Sequence, residues 1–338
     1  MSATATQTPK PLTSHRWMAD GLLLLTALLW GSNMLVFKGA IIDMDAYAFN
    51  ALRLVFATIT LVSMAILEST FWPQCRTMRR GVPWVQVLIF CLLNGVVYML
   101  LFVKGISMTT AGNVALIFAS LPMWAAFLSM IFLSERLPTI TWTGLIITLM
   151  GTVVVTTQSG GTITWSREYL VGNAYTLMAT VAWAGATVIS RNILMILTPL
   201  QLAAINALLT TPLHLIVASS ELPEAVGQAA KPSYLVAIIF SGVCSTGIAY
   251  ATWNAGVQRV GASYASVYQN VVTLVAVVGG WIFLMEEVLM AQLAGGCLTI
   301  VGLLLMRHGR KQHFTDSIEN NKTAIISSMT TAEKDKAQ

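Results

Sequence analysis

Residues Gly105 to Gly151 are written twice in this chain. Displaced by 151 positions they fall on Gly256 to Gly302, with identities at Gly105/Gly256, Ala111/Ala262, Ala125/Ala276, Ile131/Ile282, Phe132/Phe283, Leu133/Leu284, Glu135/Glu286, Gly144/Gly295, Thr148/Thr299 and Gly151/Gly302. The best-kept piece, IFLSE, returns as IFLME. In each copy about twenty apolar residues lead to one glutamate, and another apolar run follows at once. Such a pattern reads as a long buried span, a tight polar turn and a second span. A chain whose units recur folds by repeating one arrangement.

Composition decides where those spans are buried. With 56% hydrophobic and 10% charged residues and a mean hydropathy of +0.73, the chain lacks the charged share, about 25%, of a soluble globule. It reads as an integral membrane protein. A net charge of +5 raises the question of a nucleic-acid partner, but the basic residues lie between apolar runs and in the tail, as membrane topology requires. No nucleic acid is expected; the partners are a small solute and the lipid bilayer, with monomer and homodimer both open. Cys75, Cys91, Cys244 and Cys297 are scattered without metal-like spacing and read as small buried apolar groups.

Apolar runs lie at 17–40, 46–67, 83–103, 111–134, 139–157, 169–190, 199–218, 233–254, 262–285 and 288–306. Each is near the roughly 20 residues a helix needs to cross about 30 Å of hydrocarbon. The first is too long for a signal-peptide core and lacks a small-residue cleavage site, so it is expected to remain as a span. With both termini in the cytoplasm, fourteen Lys and Arg residues fall inside and three, Lys104, Arg167 and Lys231, outside, which sets the orientation. The expected fold is all-α and membrane-embedded: a disordered cytoplasmic N-terminus (1–17), a first five-helix repeat (18–157), a second (168–307) and a flexible cytoplasmic tail (308–338). An odd number of spans per half inserts the second copy upside down. Inverted repeats of this kind are a device of secondary transporters. At a displacement of 153, Trp30 falls on Trp183, Lys38 on Arg191 and Arg53 on Asn206, so the polar residues of the halves have diverged more than their packing residues.

LLWGSN at 28–33, NALRLVFA at 50–57, LSERL at 133–137, AYATWNAG at 249–256 and ASVYQNVVTLVAVVGGWIFLMEE at 265–287 resemble the EamA-type transporters of the drug/metabolite transporter superfamily. The resemblance extends from Gly21 to about Arg307. It implies a ten-helix inverted-repeat carrier in a cytoplasmic or inner membrane, with a central cavity lined by the first four helices of each half. It also implies substrates among amino acids, other metabolites and drugs, often exported. The chain departs from the commoner pattern in its polar tail and in Thr273, where many relatives have a proline matching Pro122.

Polar residues inside spans carry the functional reading, since each is costly unless it faces a partner or a cavity. Trp30, Asn33 and Phe37 share one helical face, as do Asn50, Arg53 and Ala57, and Asn94, Tyr98 and Phe102. Tyr250, Trp253 and Asn254 follow in span 8, and Tyr264, Tyr268, Gln269 and Asn270 in span 9. Asn113, Trp183 and Asn206 complete a candidate substrate-binding set of aromatic walls and amides, suited to a small amphipathic solute. Structural alternatives stand beside it. Trp30 and Trp183 recur in both halves and also suit helix packing; the tyrosines suit an interfacial belt; Asn113 and Asn270 suit helix-to-helix hydrogen bonds. Gly144, Gly151, Gly295, Gly296 and Gly302 read as close-packing sites, and Glu135 and Glu286 as partners of a helix terminus or loop cation. Pro122 is expected to kink span 4. Arg53 lies about seven residues into its span, and two roles are open for it: binding a substrate carboxylate with two parallel hydrogen bonds, or bonding helix-end carbonyls or lipid phosphate.

No catalytic constellation, metal-ligand spacing or phosphate-cradling loop occurs, so neither an enzyme nor a cofactor is expected. Asp and Glu are absent from span interiors, which argues against carboxylate-based proton coupling. Facilitated diffusion, exchange and coupling through other groups remain. The function expected is a secondary transporter, an exporter of small metabolites such as amino acids or organic acids by alternating access; the alternatives are a passive channel or facilitator and, with less support, a membrane-embedded enzyme.

Overall fold

The computed structural model describes residues 16–71, 81–133, 138–157, 167–260, 268–287, 289–306 and 308–309. Glu135, most of the polar N-terminal segment and nearly all of the tail lie outside them. The fold is all-helical, with no strand among the described residues. In chain order the segments are α1 (Arg16–Ala40), α2 (Ala46–Phe71), α3 (Trp84–Met108) and α4, in two pieces (Ala111–Phe118 and Leu121–Leu133). Then come α5 (Thr139–Thr157), α6 (Arg167–Ile193), α7 (Pro199–Val217), α8 (232–260), α9 (Gln269–Phe283) and α10 (Met290–Met306). A short helix, Leu222–Ala229, joins α7 to α8. Six segments are long and apolar enough to cross a membrane: α1, α2, α3, α4, α7 and α8. The apolar helices at α5, α9 and α10 are shorter.

Local chemistry starts several of these helices. Asp45 accepts from the N–H groups of Tyr47 and Ala48 and opens α2. Thr198 and Gln201 form a reciprocal capping box on α7, with Pro199 in its first turn. Along α7, Thr210, Thr211 and His214 are buried, whereas Leu208 and Ile216 are 52% and 68% exposed. That is the reverse of a soluble helix and is what a lipid-facing exterior selects.

The chain forms two compact units, and each takes helices from both halves of the sequence. One contains α1, α2, α7, α8 and α9 up to Gly279; the other contains α3 to α6, the end of α9 from Gly280, and α10. In the first unit α2 packs on α7 and α1 on α8; in the second α3 packs on α6.

Two features depart from straight helices. In α3 the turns at Cys91–Val97 widen to a π-helix, and in α8 the same happens at Phe240–Ile248. Displaced by the repeat of 151, the first stretch falls on 242–248, inside the second. Small residues allow it: a Cβ on Gly242 would collide with the backbone oxygen of Arg53, and one on Gly247 with the side chain of Thr60. Thr246 donates its hydroxyl to the Ser241 carbonyl five residues back, which fills the wider turn. The kink expected at Pro122 is a break. The first piece of α4 ends at Phe118, Ser120 donates its hydroxyl to the Ile117 carbonyl at 2.6 Å, and a new helix starts at Leu121. Pro122 therefore sits in a first turn, where its missing N–H leaves no intrahelical bond unmade.

Within the second unit, α5 and α10 run antiparallel and touch backbone to backbone. A Cβ on Gly144 would lie 2.5 Å from the Gly302 oxygen, and one on Gly151 would lie 2.5 Å from the Gly295 oxygen. Thr148 meets Gly302, and Thr299 meets Gly151. Every one of these contacts is returned by its repeat-equivalent, because 144 and 295, 148 and 299, and 151 and 302 are the matched positions. The threonine hydroxyls bond the carbonyls four residues back, at 2.8 Å and 3.0 Å, so the crossing buries no unpaired donor there. Gly151→Ala should cost about 1–3 kcal/mol, the usual penalty of overpacking, because the obstacle is backbone that has no rotamer to change. Gly21→Ala, where nothing lies within 4 Å, is the control; thermal unfolding in detergent should separate the two.

Candidate functional site

The residues expected to surround one cavity are divided between the two units. In the first, the α1 face carrying Trp30, Asn33 and Phe37 is used for packing. Trp30 donates its indole N–H to the Ser245 carbonyl of the α8 π-segment at 3.0 Å, and its ring lies 5.4 Å from that of Trp253. One turn from Trp30, Thr26 bonds Thr252 at 2.8 Å. Phe37 packs edge-on against Phe49 at 4.9 Å. Between them Asn33 is 8% exposed, and its Oδ1 has no hydrogen-bond partner; the same holds for Oδ1 of Asn206 on α7. Buried amide oxygens of this kind are acceptors suited to a solute N–H.

Below them sits a charged cluster. Arg53 is 4% exposed and Asn50 fully buried. Asn50 Oδ1 accepts from Arg53 Nη2 at 2.8 Å and Nε at 3.1 Å, while Arg53 Nη1 donates to Thr246 Oγ1 at 3.3 Å. The Phe37 ring covers the guanidinium at 5.1 Å. These contacts join α1, α2 and α8. His214 of α7 completes the group, with its Nδ1 3.4 Å from Asn50 Nδ2. Tyr250 packs on Leu61, Ala203, Ala204 and Ala207, and Tyr268 donates to Asp20 Oδ1 at 2.9 Å. Tyr264, and the side chains of Asn254, Gln269 and Asn270, lie outside the described residues.

In the second unit Tyr98 is stacked on Phe102 at 6.0 Å and lies 5.3 Å from Trp183, with Phe118 against all three rings. Asn94, one turn before Tyr98, is partly exposed within the π-segment. Asn113 is engaged at both ends of its amide. Its Nδ2 donates toward Thr109 and Asn173, and its Oδ1 accepts from Gln292 at 2.6 Å. This is the helix-bridging use of an amide. Glu286 is a helix-terminus group: its carboxylate accepts from the N–H groups of Ala111 at 2.7 Å and Gly112 at 3.1 Å. It reaches them because Met285 takes a left-handed conformation at φ 53°, and because Gly280, where a Cβ would lie 2.5 Å from Glu286 Oε2, leaves room.

Sequence reasoning passed over His214, Thr246, Asn173 and Gln292. His214 carries a readable signal, since Asn206, Thr210 and His214 recur every four residues on one face of α7. Thr246 does not, because its position follows from a wide turn.

The EamA-like transporter family model matches residues 17–157 and again 170–307. The chain belongs to this family. It is thus a multi-pass membrane protein of a transporter family. An "Uncharacterized transporter" of Archaeoglobus fulgidus is 26% identical over 84% of this chain and 97% of its own length. The transporter YoaV of Bacillus subtilis, also named as uncharacterized, is 24% identical over 84% and 94%. A "Probable terminal-alkyne amino-acid exporter" of Streptantibioticus cattleyicolor is 27% identical over 84% and 91%. A solved crystal structure shares the fold with a TM-score of 0.58 at 19% identity, covering 88% of this EamA-family chain and 99% of its own.

Glu286→Ala should lower the melting temperature of the purified protein, since hydrogen bonds to a charged group are worth about 1.5–3 kcal/mol. Glu286→Gln, which keeps one acceptor oxygen, should recover part of that loss.

Proposed function

We propose that this EamA-family protein is a secondary transporter that exports small carboxylate-bearing metabolites, amino acids or organic acids, by alternating access. In this reading ten spans form two inverted five-helix repeats in a cytoplasmic or inner membrane, with both termini inside. The observation that carries it is the reciprocal contact of α5 and α10. Two repeat-equivalent helices that meet antiparallel, glycine to glycine, are related by a twofold axis perpendicular to their length. For membrane spans such an axis lies in the membrane plane, as an inverted repeat needs. An identical mechanism run upside down then opens the opposite side.

The substrate class is supported by three features. Trp30 and Trp253 offer aromatic surface, Asn33 and Asn206 offer buried acceptors for an ammonium or amide N–H, and Arg53 offers a guanidinium for a carboxylate. The exporter named in Streptantibioticus cattleyicolor points to the same chemistry.

Single cysteines at Thr139 and Met290, both exposed at the starts of α5 and α10, test the topology in a background lacking Cys75, Cys91, Cys244 and Cys297. An impermeant thiol reagent applied to intact cells should label only the second. Equal labelling would end the inverted reading. For function, proteoliposomes loaded with a mixture of radiolabelled amino acids should show saturable efflux and counterflow, both reduced at least tenfold by Arg53→Gln. Flux that neither saturates nor exchanges identifies a channel instead.

A further inference from the structure

The cluster around Asn50 settles where its hydrogens are. A guanidinium only donates hydrogen bonds, so the atom of Asn50 that faces Arg53 Nε and Nη2, at 3.1 Å and 2.8 Å, is the oxygen. The amide nitrogen then points at His214, 3.4 Å from Nδ1. An amide nitrogen only donates, so Nδ1 holds a lone pair, the ring proton is on Nε2, and the imidazole is neutral. This chain of donor and acceptor is buried throughout: Asn50 is 0%, His214 2% and Arg53 4% exposed. No parity of this kind is needed to hold helices together, and a threonine pair, Thr58 with Thr211 at 2.8 Å, already joins the same α2 and α7.

We propose that His214 Nδ1 is a proton-binding site of the transport cycle, and that Asn50 reports its occupancy to Arg53. The proposal rests on the reading of a carboxylate-bearing substrate and names how a proton is linked to it. A proton from solvent adds to the Nδ1 lone pair; Nε2 keeps its own hydrogen, and the ring gains one positive charge. Nδ1–H now faces Asn50 Nδ2, donor against donor. Turning the amide about its last side-chain bond restores that hydrogen bond by giving Oδ1 to His214. The same turn presents Nδ2 to Arg53, and Nε and Nη2 lose the oxygen they shared. Those two donors, facing an amide that no longer accepts from them, turn to a substrate carboxylate with two parallel hydrogen bonds. The carboxylate also lies between two cations that otherwise repel across one amide. Proton and anion binding therefore favour each other, and by linkage each raises the affinity for the other equally.

Among the described residues, α2 and α8 bring charged and titratable groups toward α7. Helix α7 packs against α2 and the C-terminal part of α8. From α2 come Arg53, one amide away, and Glu68, which accepts from Thr198 at the opposite end of α7. From α8 comes Tyr250, placed against Ala203, Ala204 and Ala207. The coupling uses no intramembrane carboxylate.

The test needs no identified substrate. Full-length protein in lipid nanodiscs, with 15N in histidine rings and arginine side chains, is followed by NMR from roughly pH 8 to pH 5, where an imidazole titrates. His214 is assigned by its loss in His214→Asn, which keeps an acceptor oxygen near the Nδ1 position and takes no proton; Arg53 is assigned by its loss in Arg53→Lys. At high pH, His214 should show a protonated Nε2 and an unprotonated Nδ1. On acidification both ring nitrogens should become protonated, and Arg53 Nε should shift with the same midpoint. In His214→Asn the Arg53 shift should vanish. Asn50→Leu supplies a second test: His214 still titrates and Arg53 no longer follows. An Nδ1–H tautomer at high pH, a ring that stays neutral throughout, or an Arg53 signal that titrates without His214 overturns the proposal. Because no transport is measured, such a failure leaves the exporter reading intact, and a failure of the efflux assay leaves the proton site intact.

Discussion

Hydrocarbon accepts and donates no hydrogen bonds, and every feature of this fold follows from that. A polar atom in a span must be paired inside the protein, and the helix exteriors are free to be apolar. On α7 the buried face is Thr210, Thr211 and His214 while leucine and isoleucine face out. Among the described residues, polar side chains form one network around Asn50 and Arg53 and another around Asn113, Asn173 and Gln292. In water either would contribute little, because solvent competes for the same groups. In a membrane interior each network decides which faces of its helices meet.

With no hydrophobic force between helices in lipid, close approach of backbones takes over as the source of attraction. The α5 and α10 pair shows how much of that is specified by glycine and threonine alone. Each glycine admits the partner's carbonyl, and each threonine ties its hydroxyl back into its own helix. Larger residues on these helices, such as Ile146 and Leu149, remain on the outer surface. The repeat keeps its identities where two copies of one surface meet, so those residues constrain each other twice.

The fold was more legible than the site. Apolar runs and the repeat led to the helices and to the packing role of Gly144, Gly151, Gly295 and Gly302, since spacing along a helix survives folding unchanged. Glu286 was placed correctly at a helix terminus; that the terminus is at Ala111, so far away in sequence, is a tertiary fact. The π-segments were not foreseen, because no residue pattern in CLLNGVV or FSGVCSTGI breaks the helical period by itself. The break in α4 was foreseen as a kink; its position two residues before Pro122 depends on Ser120 closing the previous turn. For Arg53, depth in the span signalled a special environment, and Asn50 on the same helical face is a local partner; Phe37 of α1 and Thr246 of α8 are tertiary ones. Asn113 shows the limit from the other side: an amide in a span looks the same in sequence whether it meets a solute or Gln292.

The two π-segments give the helices that contain them a freedom their neighbours lack. A wide turn holds one residue more than an α-helical turn, and it shifts along the axis by exchanging one carbonyl acceptor for the next, without unravelling either end. Each such step carries the residue it passes about 100° around the axis, the angle set by 3.6 residues per turn. In α8 a step of this kind would re-aim Ser245 and Thr246, and in α3 it would re-aim Asn94. Each helix thus contains a bearing at mid-depth: side chains there can swivel between neighbours while both helix ends stay anchored.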